Sequence, residues 1–435
     1  MSKYIVCPHV KKDTKYFLMR SNRRRQETKY RICNIITAVI FLTSIGLSSY
    51  AEKEIVLGAL LPITGDLSSS GEAAKAAIDL AEKDINEYLA DTGFDVRVRL
   101  IVEDTETKPE IALMKLEELE EEGVRVIIGP GSSASVNQIK SYAEKKGILL
   151  ISHSSTAPSM AIPEDNVFRF VLDDRSQAEA IARLMWDDGC KAVIPIWRDD
   201  VWGNDLMEAT KKNFEDLGGT IVNGVGYTPT TANFSAKLEF INSKVSQALA
   251  QYNSNSVAVH LMAFKEVEHI FTQAEKYPIL STVRWYGSDG TAINEVLTSN
   301  KKAARFATRT DFSNPILGGT MTGKFELVKE EIREKIKREP NIYSLVAYDA
   351  VWIATKACIA TRGNSIDALM EVVRQEAKQY TGITGWMFLN EEGDRKFGNY
   401  DFWNVMEENG NFLWKRVAIY RIDPILPGKV IHISE

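Results

Sequence analysis

The sequence predicts an α/β protein of two parallel-sheet lobes crossed several times by the chain. Short β-like runs alternate with amphipathic helical runs from Glu54 onward, and the alternation restarts after Asn166. The chain, at 435 residues, also exceeds what one hydrophobic core usually serves. In the first series Glu54–Leu61 reads as a strand and Glu72–Tyr88 as a helix, with Ala74, Ala77, Ile78, Ala81 and Ile85 on one face. Strand Val96–Val102, helix Lys108–Glu122, strand Val124–Ile128, helix Val136–Lys146 and strand Ile148–Ile151 follow. After a crossing strand at Asn166–Val171, strands are expected at Lys191–Trp197, Thr220–Tyr227, Ser256–Leu261 and Val283–Gly287, with helices between them. A helical section covers Lys324–Lys337 and Ile342–Thr361, and β-like runs such as Tyr400–Val405 and Leu413–Tyr420 close the chain. No Ser/Gly- or Pro-rich linker separates two beads.

Hydrophobic residues make up 44% of the chain and charged residues 26%, the proportions of an ordinary globular protein. Residues 1–51 hold ten Lys/Arg against two Asp/Glu, a net of +8. That leaves 43 basic and 57 acidic side chains, a net of −14, on residues 52–435. An acidic body repels phosphate backbones, so the basic head reads as targeting rather than nucleic-acid binding. Arg23, Arg24, Arg25, Lys29 and Arg31 precede the apolar run Ile35 to Leu47, and Ser49-Tyr50-Ala51 is a small-x-small cleavage site. The uncharged stretch Ile32 to Ala51 is also long enough for an uncleaved anchor, which needs roughly 20 mostly apolar residues. Either reading exports the body, to the periplasm or the cell surface, with a possible membrane tether. Met19 offers an alternative start. The body keeps only Cys190 and Cys358, read as buried free thiols, and has no metal-binding spacing of Cys or His.

Nucleotide and catalytic patterns fail. Gly129-Pro-Gly131-Ser-Ser-Ala134 fits G-x-G-x-x-A, but no acid follows about 20 residues on, where Leu149 to His153 stand. Gly318 to Lys324 resembles a phosphate loop, but Phe325 replaces the Mg²⁺-binding hydroxyl. The body's histidines are scattered, without HExxH or GxSxG, so no catalytic residue, metal or cofactor is expected. Asn233-Phe-Ser235 is a lone glycosylation sequon. Glu103-Asp104 ends a strand, where capping the next turn is its expected task.

Hydroxyl-rich loops at strand ends carry the remaining signal. Pro130-Gly-Ser-Ser-Ala-Ser135 follows one strand and Ser152-His-Ser-Ser-Thr-Ala-Pro158 the next. Helix capping would explain such serines. Both loops nevertheless fall at the C-terminal edge of one parallel sheet, where α/β proteins bind ligands, and Ser hydroxyls with N–H groups at a helix start suit a carboxylate. The second lobe offers Arg198-Asp-Asp-Val-Trp202-Gly203 and Gly287-Ser-Asp289-Gly290 at its own strand ends. Asp289 either shapes a turn or meets a ligand ammonium, and Trp202 is either core or a pocket wall.

Together these stretches resemble the leucine/isoleucine/valine-binding protein family, the substrate-binding proteins of branched-chain amino acid ABC transporters. The likeness runs from Glu54 to about Tyr420 and is most specific over Val126–Ser133 and Gly147–Pro158. Gly58–Gly71, Asp104-Thr-Glu, Asp200–Gly203, Gly287–Gly290, Tyr348-Asp349-Ala350 and Gly382–Gly385 also match. The resemblance implies the type I periplasmic-binding-protein fold: two Rossmann-like parallel-sheet lobes joined by a multi-strand hinge. It assigns 52–168 and 318–398 to one lobe, and 169–317 and 399–435 to the other. It implies that Ser133 holds a ligand carboxylate, that the carbonyl of Ser154 accepts from an ammonium, and that Thr156 touches both groups. Asp289 would neutralise the ammonium and Trp202 would press on the ligand from the second lobe. Ser70, Ser132, Phe264 and Tyr343 would face its side chain, with Ala263 the alternative to Phe264. Ser70, Gly131 and Ser132 are smaller and more polar than the family pattern, and Asp289 stands where the family has a longer Glu. A small amino-acid-like ligand and an ABC permease partner are the implied partners, with a ligand-sensing ectodomain of the same fold as the alternative.

Overall fold

The computed structural model describes residues 53–319, 323–362, 365–422 and 428–433. The signal or anchor expected in 1–51, with Cys7 and Cys33, lies outside the described residues.

Runs that are apolar on both sides become strands buried on both faces. β1 (Lys53–Leu61), β2 (Val96–Asp104), β3 (Val126–Ile128), β4 (Leu149–Ser152) and β5 (Val167–Arg169) form a parallel sheet in the order β2-β1-β3-β4-β5. In β1, Leu57, Ala59 and Leu61 join one apolar cluster, whereas Leu60 joins another with Ile127, Leu150 and Leu116. This period-2 alternation requires helices on both faces. α1 (Ser68–Asp91) covers the first face and α2 (Pro109–Glu121) with α3 (Ser133–Lys146) the second.

After β5 the chain builds a second layer system. α4 (Asp174–Asp187), β6 (Ala192–Arg198), α5 (Val201–Asp216), β7 (Thr220–Ile221) and β8 (Val225–Tyr227) are followed by α6 (Ser235–Leu249), β9 (Val257–Met262), α7 (Val267–Ala274) and β10 (Arg284–Tyr286). Their sheet is parallel, in the order β10-β9-β6-β7, with β8 also on β6. The single strand expected at Thr220–Tyr227 is therefore two. Pro195 sits in β6 opposite the break and has no N–H with which to continue that ladder.

α8 (Val296–Ser299), α9 (Lys301–Arg309) and β11 (Asn314–Leu317) lead to α10 (Gly323–Ile336), α11 (Ile342–Thr361) and α12 (Ile366–Gln379). α11 packs on α1, which returns the chain to the first sheet. α11 is long and apolar enough to cross a membrane, but 83% of its apolar window is buried, so here it is a core helix. A short ladder of β12 (Thr381–Gly382) and β13 (Gly385–Trp386) precedes β14 (Tyr400–Glu408), β15 (Asn411–Arg421) and β16 (Lys429–His432). These last three join β11 in an antiparallel sheet, β11-β14-β15-β16.

Two helix starts differ from expectation in a way that matters for the site. α1 begins at Ser68 instead of Glu72, and α3 at Ser133 instead of Val136. Serine is a weak helix former but a good first-turn residue, so both serine clusters become helix N-termini.

Candidate ligand-binding site

Between the two parallel sheets lies a cleft of about 770 Å³, counting the part open to solvent. Four helices begin at its walls: α1 with Ser68–Ser70, α3 with Ser133, α5 with Trp202 and α11 with Tyr343. A helix N-terminus carries a positive backbone field that favours an anionic group.

The first-lobe wall is a mesh of hydroxyls. Ser132 caps α3, its Oγ accepting from the Ser135 N–H at 3.2 Å and donating to Ser135 Oγ at 2.9 Å. Ser133 Oγ accepts from Ser155 Oγ at 3.0 Å and from the N–H groups of Thr156 at 3.2 Å and Ala157 at 3.1 Å. Ser154 Oγ donates to the Gly131 carbonyl at 2.7 Å, and Ser152 Oγ to that of Pro130 at 2.7 Å. Each loop thus fixes the other. A Cβ on Gly131 would stand 3.1 Å from Pro62 and 3.3 Å from Ser154 Oγ, so this glycine keeps the wall open. Asp104 anchors the neighbouring turn, accepting from the Thr64 hydroxyl at 2.7 Å and the Glu106 N–H at 2.8 Å, the capping task expected of it.

The second-lobe wall is aromatic and charged. Trp202, 3% exposed, stacks on Phe264 with centroids 4.6 Å apart, and the Arg198 guanidinium lies 4.6 Å over that same ring. Asp289 accepts from the Tyr343 hydroxyl at 2.9 Å and the Gly290 N–H at 2.9 Å, and its own N–H donates to Gln177 Oε1 at 2.8 Å. Burial pushes the Asp289 carboxyl up to about 6, against the donation from Tyr343, Gln177 and Gly290.

Eight of the nine predicted site residues line this cleft: Ser70, Ser132, Ser133, Ser154, Trp202, Phe264, Asp289 and Tyr343. Thr156 does not. It is 1% exposed, and its hydroxyl donates to Asp174 Oδ2 at 2.8 Å behind the wall. Sequence reasoning passed over Asp66 and Lys265, which join the lobes at the rim. Arg198 Nη1 meets Asp66 Oδ2 at 3.0 Å, and Lys265 Nζ donates to the Gly65 carbonyl at 2.7 Å. It also passed over Asp174 and Gln177, which no motif marks. The match at Tyr348-Asp349-Ala350 and Gly382–Gly385 has a structural purpose: buried Asp349 accepts from the N–H groups of Ile383 and Thr384, each at 2.9 Å. Both thiols are free as expected, but only Cys190 is buried; Cys358 is partly buried.

Residues 73–408 match the family model described as the receptor family ligand binding region. An uncharacterised protein of Methanocaldococcus jannaschii is 30% identical over 392 residues, 86% of this chain and 91% of its own. Leu/Ile/Val-binding protein homolog 3 of Brucella melitensis is 23% identical over 375 residues, 84% of this chain and 95% of its own. Among solved structures, a leucine-binding protein of Thermotoga maritima superposes with a TM-score of 0.70 at 21% identity, covering 84% of this chain and 99% of that one. The architecture is therefore the type I periplasmic-binding-protein fold, and the chain belongs to the receptor-family ligand-binding region family, as a relative of the Leu/Ile/Val-binding proteins.

Proposed function

We propose that this chain is an extracytoplasmic solute-binding protein that captures an amino acid, or a similar zwitterion, by closing its two lobes and delivers it to the permease of an ABC importer. The observation that carries this reading is the opposition of charge preference across one cleft. The hydroxyl mesh at the start of α3, where Ser132 and Ser133 stand, lies on one side, and the Asp289 carboxylate on the other. Such a pair of walls suits a carboxylate and an ammonium on one small molecule. On this reading residues 52–168 and 318–398 form the carboxylate lobe, and 169–317 with 399–435 the ammonium lobe. Thr156 acts from behind the wall by setting the orientation of Asp174. The rim contacts of Arg198 and Lys265 hold the closed form.

Kinship with a Leu/Ile/Val-binding protein homolog of Brucella melitensis supports amino-acid capture. The family's description as a receptor region favours the second reading, a sensing ectodomain. Thermal-shift screening of the chain against amino acids, amides and aromatic acids tests the first claim. Stabilisation by amino acids supports it, and stabilisation confined to amine-free acids would refute it. Co-purification with a permease rather than a kinase separates import from sensing.

A further inference from the structure

Asp174 is fully buried at the start of α4, and Asp289 is 7% exposed in the cleft wall. Gln177 links them: its amide nitrogen donates to Asp174 Oδ1 and its carbonyl accepts from the Asp289 N–H. Every other hydrogen-bond partner of the two carboxylates is neutral, namely the Thr156 hydroxyl on Asp174, and the Tyr343 hydroxyl and Gly290 N–H on Asp289. Among the described residues no Lys or Arg forms an ion pair with either one. Arg175, on the same helix as Asp174, is paired with Asp173 and is 56% exposed. From β14, the buried Tyr400 hydroxyl has no partner among the described residues and lies within the field of both acids. Burial raises Asp174 well above the ordinary carboxylate range, and the charge of Asp289 raises it further. Two buried carboxylates joined through the one Gln177 side chain, with no cation beside them, do not both ionise.

We infer that Asp174 is a specificity-determining partner of Asp289: the empty cleft holds one proton between them, and a ligand binds by putting an ammonium in that proton's place. This rests on the zwitterion reading above and deepens it. The exchange balances. Two carboxylates with one proton carry a single net negative charge, and the same two ionised beside one ammonium carry the same; the released proton goes to solvent. A ligand with a carboxylate but no amine leaves the proton where it is and has no cation to set against the two acids, so α-hydroxy acids and benzoate bind more weakly than amino acids. Asp174 does not touch the ligand; it sets the charge that Asp289 presents.

Calorimetry of the full chain with L-leucine and L-threonine, in buffers of different ionisation enthalpy between about pH 6 and 8, reads the exchange directly. The expected result is release of close to one proton per ligand, with affinity rising about tenfold per pH unit until the shared proton is gone. In Asp174→Asn both the release and the slope should vanish near pH 7 while the amino acids still bind. Amino-acid binding without proton release, or an unchanged slope in Asp174→Asn, overturns the shared proton but leaves the zwitterion reading intact. Binding of 2-hydroxyisocaproate or benzoate in place of amino acids overturns both. Aspartate carboxyl ¹³C titration of the ligand-free wild type gives a readout that needs no variant. One carboxyl should stay protonated above pH 6, and complete ionisation of both acids there overturns the inference.

Discussion

Two pairs of buried charged groups both draw on residues 156–174 and are built on opposite terms. Arg169 and Asp394, 1% and 2% exposed, form a two-pronged ion pair with Nε to Oδ1 at 2.6 Å, and Arg169 also donates to the Ala157 carbonyl at 2.6 Å. The charge there is balanced within the chain. Asp174 is buried as deeply, Asp289 sits in the cleft wall, and both have only neutral donors. Lack of a cation is not by itself the mark of a ligand site, since buried Asp349 also has only neutral donors; Asp174 and Asp289 differ in standing together at the cleft wall, where the zwitterion reading puts the ligand's ammonium. The first pair fixes the loop that begins with Thr156, and the second uses it.

The same substitution made in each place breaks or upholds that contrast. Asp394→Asn strands the buried Arg169 and should cost about 3–5 kcal/mol of stability, seen as a large fall in melting temperature. Asp174→Asn puts a neutral amide where the shared proton already keeps the carboxyl neutral, and should change ligand-free stability at neutral pH by less than about 1 kcal/mol. Equal losses in both variants would end the distinction. Asp289→Ala should abolish thermal shifts by amine-bearing ligands, and persistence of those shifts would move the ammonium site elsewhere.

Ser133→Ala tests whether the hydroxyl mesh is structural as well as ligand-binding. It leaves the Thr156 and Ala157 N–H groups without their acceptor, so stability should fall by roughly 1–3 kcal/mol even without ligand. Carboxylate-bearing ligands should weaken by roughly 1.5–3 kcal/mol as well. An unaltered affinity would leave Ser133 a purely structural tie.

The unbalanced pair also gives ligand-free stability a pH signature. The Asp289 carboxyl is higher in the folded chain, about 6 against an ordinary 3.8, so the folded state binds the extra proton. Its contribution is full below about pH 4 and is lost as pH rises through about 6, a change on the order of 3 kcal/mol. Urea titrations at several pH values should show that decline in wild type and a smaller one in Asp289→Asn, where buried Asp174 alone still titrates. The smallest effect is expected at Gly131→Ala, whose new methyl meets Pro62 and Ser154 at 3.1–3.3 Å. Affinity should drop a fewfold with little change in melting temperature, and a large stability loss would mean that this wall cannot yield.

Much of the cleft was legible because its parts sit at strand ends and helix starts, which periodicity locates. Ser132, Ser133 and Ser154 follow apolar strands, and Trp202 and Asp289 follow strands of the second lobe. Asp174 and Gln177 were not legible, since D-x-x-Q at a helix start reads as ordinary capping, and Asp173 does cap α4. Nor were the rim contacts of Asp66, since Arg198 lies 132 residues away in the chain. The break at Pro195 was written in the residue itself but needed the neighbouring strand to have a consequence.

The sequence by itself determined the two parallel sheets and the chemistry of each loop, because apolar period and turn residues act over a few positions. The tertiary structure decided which loops face one another, that the Thr156 hydroxyl turns from the cleft to Asp174, and that two acids 115 positions apart share one buried site. Charge compensation is a property of distances and burial in the folded chain, and residue order alone does not encode it locally.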